Sequence, residues 1–179
     1  MILWSRAMTI LELRVNLNFM DAKTVLLEQL TRATKVFLKT LAEFPEEKFH
    51  TDLPSGGNSA AWNALHIADW AQILVPAKLE NVDASLKFAY LGWEDADFAK
   101  AVFGLGAVSL QSSQAEIIAH TKQQLERANT DLAQAEADQL EQMVLTPMGE
   151  RKLFNIIMTH VAHLPYHYGQ IKLNAKQLL

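Results

Sequence analysis

From residue 21 onward, apolar positions recur every three or four residues in four long stretches separated by turn-forming residues. In the first, Leu26, Leu30, Ala33, Phe37 and Leu41 make one stripe of a helix that Asp21 caps and that runs to Phe44. Pro45 stops it. The loop that follows ends in Pro54-Ser-Gly-Gly-Asn58, dense in turn residues. Ser59 caps a second helix over 60–75, closed by Pro76, with Trp62, His66, Asp69, Trp70 and Ile73 sharing a face. Residues 77–112 carry no sustained period and read as a long crossover, with a short helix over Glu94–Phe103 ended by Gly104. Ser113-Gln-Ala-Glu116 has the pattern of a capping box and opens a third long helix. Its stripe is Ile118, Thr121, Leu125, Ala128 and Leu132, and nothing breaks it before the Thr146-Pro147-Met148-Gly149 turn. A fourth helix runs from Glu150 toward Lys176.

Residues 1–19 differ. Leu11, Leu13, Val15, Leu17 and Phe19 alternate with polar residues, the period of a strand. Charges interrupt the apolar run and no small-residue cleavage site follows, so it reads poorly as a signal peptide. We take 1–19 as an N-terminal extension and 20–179 as one domain. No strand pattern occurs after residue 19. The expectation is therefore an all-α fold, a four-helix bundle with a long crossover between helices two and three.

Composition adds mainly exclusions. Half of the 179 residues are apolar, enough for a sizeable core. The net charge is −4 and no basic stripe stands out, against nucleic-acid binding. No apolar run reaches the roughly 18 residues of a membrane span, and a cytoplasmic location is expected. The absence of cysteine excludes disulfides and thiolate ligands.

The chemistry concentrates in the last helix. Its stripe of Leu153, Ile156, His160, His163, His167, Gln170 and Asn174 starts apolar and turns polar, which a core helix rarely does unless the polar groups have partners. His160, His163 and His167 lie within about 60° of one another around the helix. His163 and His167, four apart, can point two imidazoles at one ion. Bundles build metal sites from facing helices, and helix two offers His66 as the third ligand. Three neutral imidazoles leave a tetrahedral ion one open position. Asp69, His160 and Gln170 are candidates to support the ligands from behind or line a pocket. His120 and His50 are expected in solvent, Trp62 and Trp70 in the core, and Tyr166 and Tyr168 off the site. Gly169 inside the helix suggests a close approach of another segment.

Asn58-Ser-Ala-Ala-Trp-Asn-Ala-Leu-His-Ile-Ala-Asp-Trp70 resembles the second-helix motif of the DinB/YfiT-like metalloenzymes, and His160 to Gln170 resembles that family's last-helix pattern, H-x-x-H-x-x-x-H-x-G-Q. The Pro54 to Ser59 loop and the helix from Glu28 to Leu41 are also similar. The resemblance covers roughly residues 21–176. It implies a four-helix bundle, a divalent ion (zinc or nickel, with iron or manganese as alternatives) on His66, His163 and His167, and a homodimer. Some members transfer low-molecular-weight thiols to electrophiles, so the resemblance implies a metal-dependent thiol S-transferase or hydrolase, with a thiol and an electrophile as partners. The alternative is a non-catalytic metal- or ligand-binding bundle acting as a dimer in a stress response. Leu164-Pro165 departs from the pattern, which often carries an acid there. Pro165 also removes the amide bond to Val161, which predicts a kink between the two ligands.

Overall fold

The computed structural model describes residues 22–74, 87–92, 96–146 and 149–178. The proposed extension over 1–19, the Asp21 cap, the Pro76 stop, the start of the short helix at Glu94 and the Pro147-Met148 turn lie outside the described residues. Among the described residues five α-helices follow in order: α1 (Ala22–Ala42), α2 (Ala60–Leu74), the short α3 (Asp97–Val102), α4 (Gln114–Gln134) and α5 (Leu153–Leu178). The fold is all-α in its core. α1 packs on α4 and α5, and α2 packs on the same two, so the four long helices form a ring with α1 diagonal to α2.

The stripes hold with small shifts of phase. α1 buries Leu26, Leu30, Phe37 and Leu41, but Thr34 is buried more fully than its neighbour Ala33. α4 buries Ile117, Thr121, Leu125, Ala128 and Leu132, so Ile117 rather than Ile118 carries the first turn. Its predicted capping box is present: the Ser113 hydroxyl accepts from the Glu116 amide, and the Glu116 carboxylate accepts from the Ser113 amide. α2 is the most enclosed element, buried on nearly every side. Ala60, Ala61, Ala64, Ala68 and Ala71 supply little bulk, which lets α4 and α5 approach closely. At its start the Ser59 hydroxyl accepts from the Trp62 amide at 3.2 Å, as the capping pattern predicts.

Two sequence expectations fail. A hairpin, β1 (Met143–Thr146) with β2 (Gly149–Lys152), occupies a stretch read as the end of one helix and the start of the next. Gly149 has φ +91°, a conformation glycine adopts freely, and it places Glu150, Arg151 and Lys152 in the strand. α5 therefore begins at Leu153, not Glu150. Pro165, by contrast, does not end α5, which is helical to Leu178. Pro165 is exposed and, with Val161, faces α1 on the side away from the histidines.

Candidate metal centre

Three imidazoles from α2 and α5 meet at the floor of a cavity of about 460 Å³. His66 comes from the middle of α2; His163 and His167 come from successive turns of α5. The Nε2 of His163 lies 3.1 Å from that of His66 and 2.9 Å from that of His167. The three ligand nitrogens all fall within 4.8 Å of one another.

The hydrogen-bond network fixes which nitrogen His66 and His167 offer. His66 Nδ1 is 2.6 Å from the Tyr90 carbonyl, which can only accept, so Nδ1 carries the proton and Nε2 presents its lone pair. His167 Nδ1 is 2.6 Å from Asn63 Oδ1. The Asn63 amide nitrogen donates to the carbonyls of Asn58 and Ser59, at 3.1 and 2.8 Å, so its oxygen is the acceptor and His167 Nδ1 again holds the proton. Two lone pairs therefore aim at the Nε2 of His163. One proton on that nitrogen can serve two lone pairs only by splitting its hydrogen bond; a cation among the three nitrogens can accept all three. Nitrogens bound tetrahedrally to zinc at about 2.0–2.1 Å stand about 3.3 Å apart. The observed separations are a few tenths of an ångström shorter, so the residues fit a divalent ion with a small outward relaxation.

Electrostatics agree. Burial, then the neighbouring His163, push His66 down to about 4, against the Tyr90 carbonyl, which raises it. Burial holds His163 down to about 4. Burial, then His66 and His163, hold His167 down to about 3, while a hydrogen bond with Gln170 acts in the opposite direction. All three are neutral at pH 7 and ready to ligate without losing protons.

The cavity walls differ from expectation. Trp62 stacks on His66 with centroids 4.5 Å apart and planes 19° from parallel. Trp70 meets His66 and His163 edge-on, and its indole N–H donates to the Leu91 carbonyl at 3.0 Å. Both tryptophans line the cavity rather than only the core, and so does Tyr166, whose ring meets His167 edge-on at 5.0 Å. Gln170 lines it as well, with Asn58, Leu91, Gly92 and Thr159.

Asp69 makes no hydrogen bond to His66. Its carboxylate accepts from the amides of Ala89 and Tyr90, at 3.2 and 2.9 Å, and so holds the strip of crossover whose Tyr90 carbonyl receives His66. Burial pushes Asp69 up to about 6, against those two amides. His160 is fully buried and stands outside the converging set, its centroid 6.5 Å from that of His163. His50 is exposed as expected; His120 is half-buried, and burial lowers its pKa. The sequence reading missed Asn63 and Tyr90. Asn63 had a signal, a lone amide in an otherwise apolar stretch one turn before His66. Tyr90 acts through its main chain, which leaves no signal in residue type.

No curated protein matches the chain. The family profile described as DinB superfamily matches residues 29–171, which include His66, His163, His167 and every residue that holds them. On a match over most of its length and a helical bundle to go with it, the chain belongs to the DinB superfamily.

Proposed function

We propose that this protein is a divalent-metal-dependent enzyme, a low-molecular-weight-thiol S-transferase or a hydrolase, working in the cavity above His66, His163 and His167. The observation that carries the proposal is the convergence of three Nε2 atoms, two with their tautomers fixed, at the floor of a cavity of ligand size. A divalent ion held there supplies Lewis acidity and lowers the pKa of a water or thiol at its open position. Zinc or nickel suits imidazole donors, as iron and manganese do less strongly. Trp62, Trp70 and Tyr166 wall the site, and the amides of Asn58 and Gln170 offer neutral hydrogen bonds for orientation.

Two measurements test this. Elemental analysis of untagged protein is expected to give about one ion per chain, falling in His66→Ala, His163→Ala and His167→Ala. Retention of the ion by all three variants would sink the site assignment. Metal-dependent turnover of an electrophile with an added thiol tests the activity.

A second reading is a non-catalytic metal- or ligand-binding bundle. It draws on the absence of a carboxylate from the cavity lining among the described residues, since Asp69 is turned to backbone amides. Thiol-dependent turnover would exclude it. For assembly we propose a homodimer, supported by an apolar groove between α1 and α5 at which Val36 and Met158 are exposed. Light scattering behind a sizing column tests it, and a monomer at micromolar concentration would refute it.

A further inference from the structure

α5 buries one more imidazole than the metal centre uses. His160 is fully buried, and neither of its ring nitrogens has a hydrogen-bond partner. The Nδ1 of His163 is buried and unpartnered too. Buried polar atoms without partners are uncommon and costly, so three such nitrogens side by side on one helix call for an explanation.

The ligands account for two of the three. His66 and His167 are each held from behind, by Tyr90 and by Asn63. Nothing bonds His163 from behind. Once its Nε2 lone pair faces an ion, its Nδ1 must carry the proton and needs an acceptor. His160, one turn earlier on the same helix, stands next to it, and a neutral imidazole has one acceptor nitrogen. With ring centroids 6.5 Å apart no direct bond forms. A single water hydrogen-bonded to both rings, at about 2.8–3.0 Å from each, is the bridge that would pair them. A water there would meet His163 Nδ1 and His160, the minimum of two polar partners that buried waters keep.

We infer that His160 is a positioning residue for the metal centre: through one buried water it accepts the hydrogen bond of His163 Nδ1–H, and so fixes the tautomer and aim of the third ligand. The inference rests on the three-histidine reading above. A purely structural role would be served as well by an apolar side chain of similar volume, and that difference sets the test.

The experiment uses the full chain, stripped of metal, with zinc titrated against a chromophoric chelator. His160→Leu is expected to bind zinc about 10–100-fold more weakly, while His160→Gln, whose amide oxygen can accept in place of the imidazole, stays within about threefold of the parent. In the zinc-loaded parent and in His160→Gln, nitrogen-edited NMR is expected to show a slowly exchanging Nδ1–H on His163, lost to exchange in His160→Leu. Parental affinity in His160→Leu overturns the inference and leaves the three-histidine reading standing. Equal weakening in both variants assigns the effect to shape and also overturns it. A parent that binds no zinc removes both. If His160→Leu fails to fold, the parent decides: an unprotected His163 Nδ1–H in the zinc-loaded protein overturns the inference.

Discussion

Asn63 is the residue whose removal most directly tests how the metal centre is held. It is buried, accepts from His167 Nδ1 at 2.6 Å, and donates to the carbonyls of Asn58 and Ser59. Asn63→Ala removes all three bonds, but the losses are unequal. The Asn58 carbonyl keeps the Asn174 amide at 2.7 Å, and the Ser59 carbonyl keeps the main-chain amide of residue 63 at 3.0 Å. Only His167 Nδ1 is left as a buried donor without a partner, which costs about 1–3 kcal/mol. Adding roughly 1 kcal/mol for the weaker bonds gives a destabilisation of about 2–4 kcal/mol in urea unfolding with chelator present. Loss of the acceptor also frees His167 to move its proton to Nε2, which then offers no lone pair. Zinc affinity is expected to fall about 10–100-fold, the usual effect of losing an outer partner of a ligand histidine. Stability with and without chelator, and affinity by competition, measure the two separately. Asn63→Ala that loses stability but binds zinc like the parent would refute the assignment of His167 as a ligand oriented by Asn63.

Other expectations follow from the same geometry. His66, His163, His160 and His167 are held down to about 4, 4, 3 and 3 in the fold, whereas the unfolded chain protonates near 6.5. The unfolded state takes up protons first, so the metal-free protein should lose stability as pH falls from 6.5 toward 4, by up to about 1.4 kcal/mol per pH unit for each histidine. Urea midpoints at pH 7 and 5 check this, and equal midpoints would contradict it. For the same reason zinc affinity should be nearly flat from pH 8 to 6 and fall below about 5, where free histidines would already lose it near 6.5. Gly169 meets no atom within 4 Å of an added Cβ, so Gly169→Ala should stabilise the helix by up to about 1 kcal/mol, raising the melting temperature by a few degrees. Ser113→Ala, which removes the α4 cap, should cost about 1 kcal/mol in the same assay and leave metal binding unchanged.

The helices and the histidine cluster were legible because both depend on spacing along a helix. An apolar stripe every 3.6 residues predicts which face is buried, and histidines four apart predict two rings on one ion. The phase of a stripe is less legible where adjacent residues are equally apolar, as at Ile117 and Ile118. The hairpin was not legible, because Gly149-Glu-Arg-Lys152 is as polar as a helix surface and its strands are four residues each. Gly169 was misread: its Cβ would meet open space, so no close approach explains it. The kink expected at Pro165 does not separate the two histidines, because the lost amide bond is on the side of α5 that faces α1, and His163 and His167 keep their Nε2 atoms 2.9 Å apart. The roles of Trp62, Trp70 and Tyr166 depend on how α2, α5 and the crossover at Leu91 and Gly92 together line a cavity, which no single helix encodes.

His66 and His167 are braced in chemically equivalent ways, yet their braces differ in kind. One is a main-chain carbonyl of Tyr90, present whatever side chain residue 90 carries; the other is the side chain of Asn63. A single base change can erase the second and none can erase the first. Drift at position 90 is therefore felt at the His66 ring only by displacing the strip as a whole, which Asp69 restrains through its two backbone amides. The α2 ligand is thus insured against point substitution at its own contact, and the vulnerability of the pair falls on Asn63.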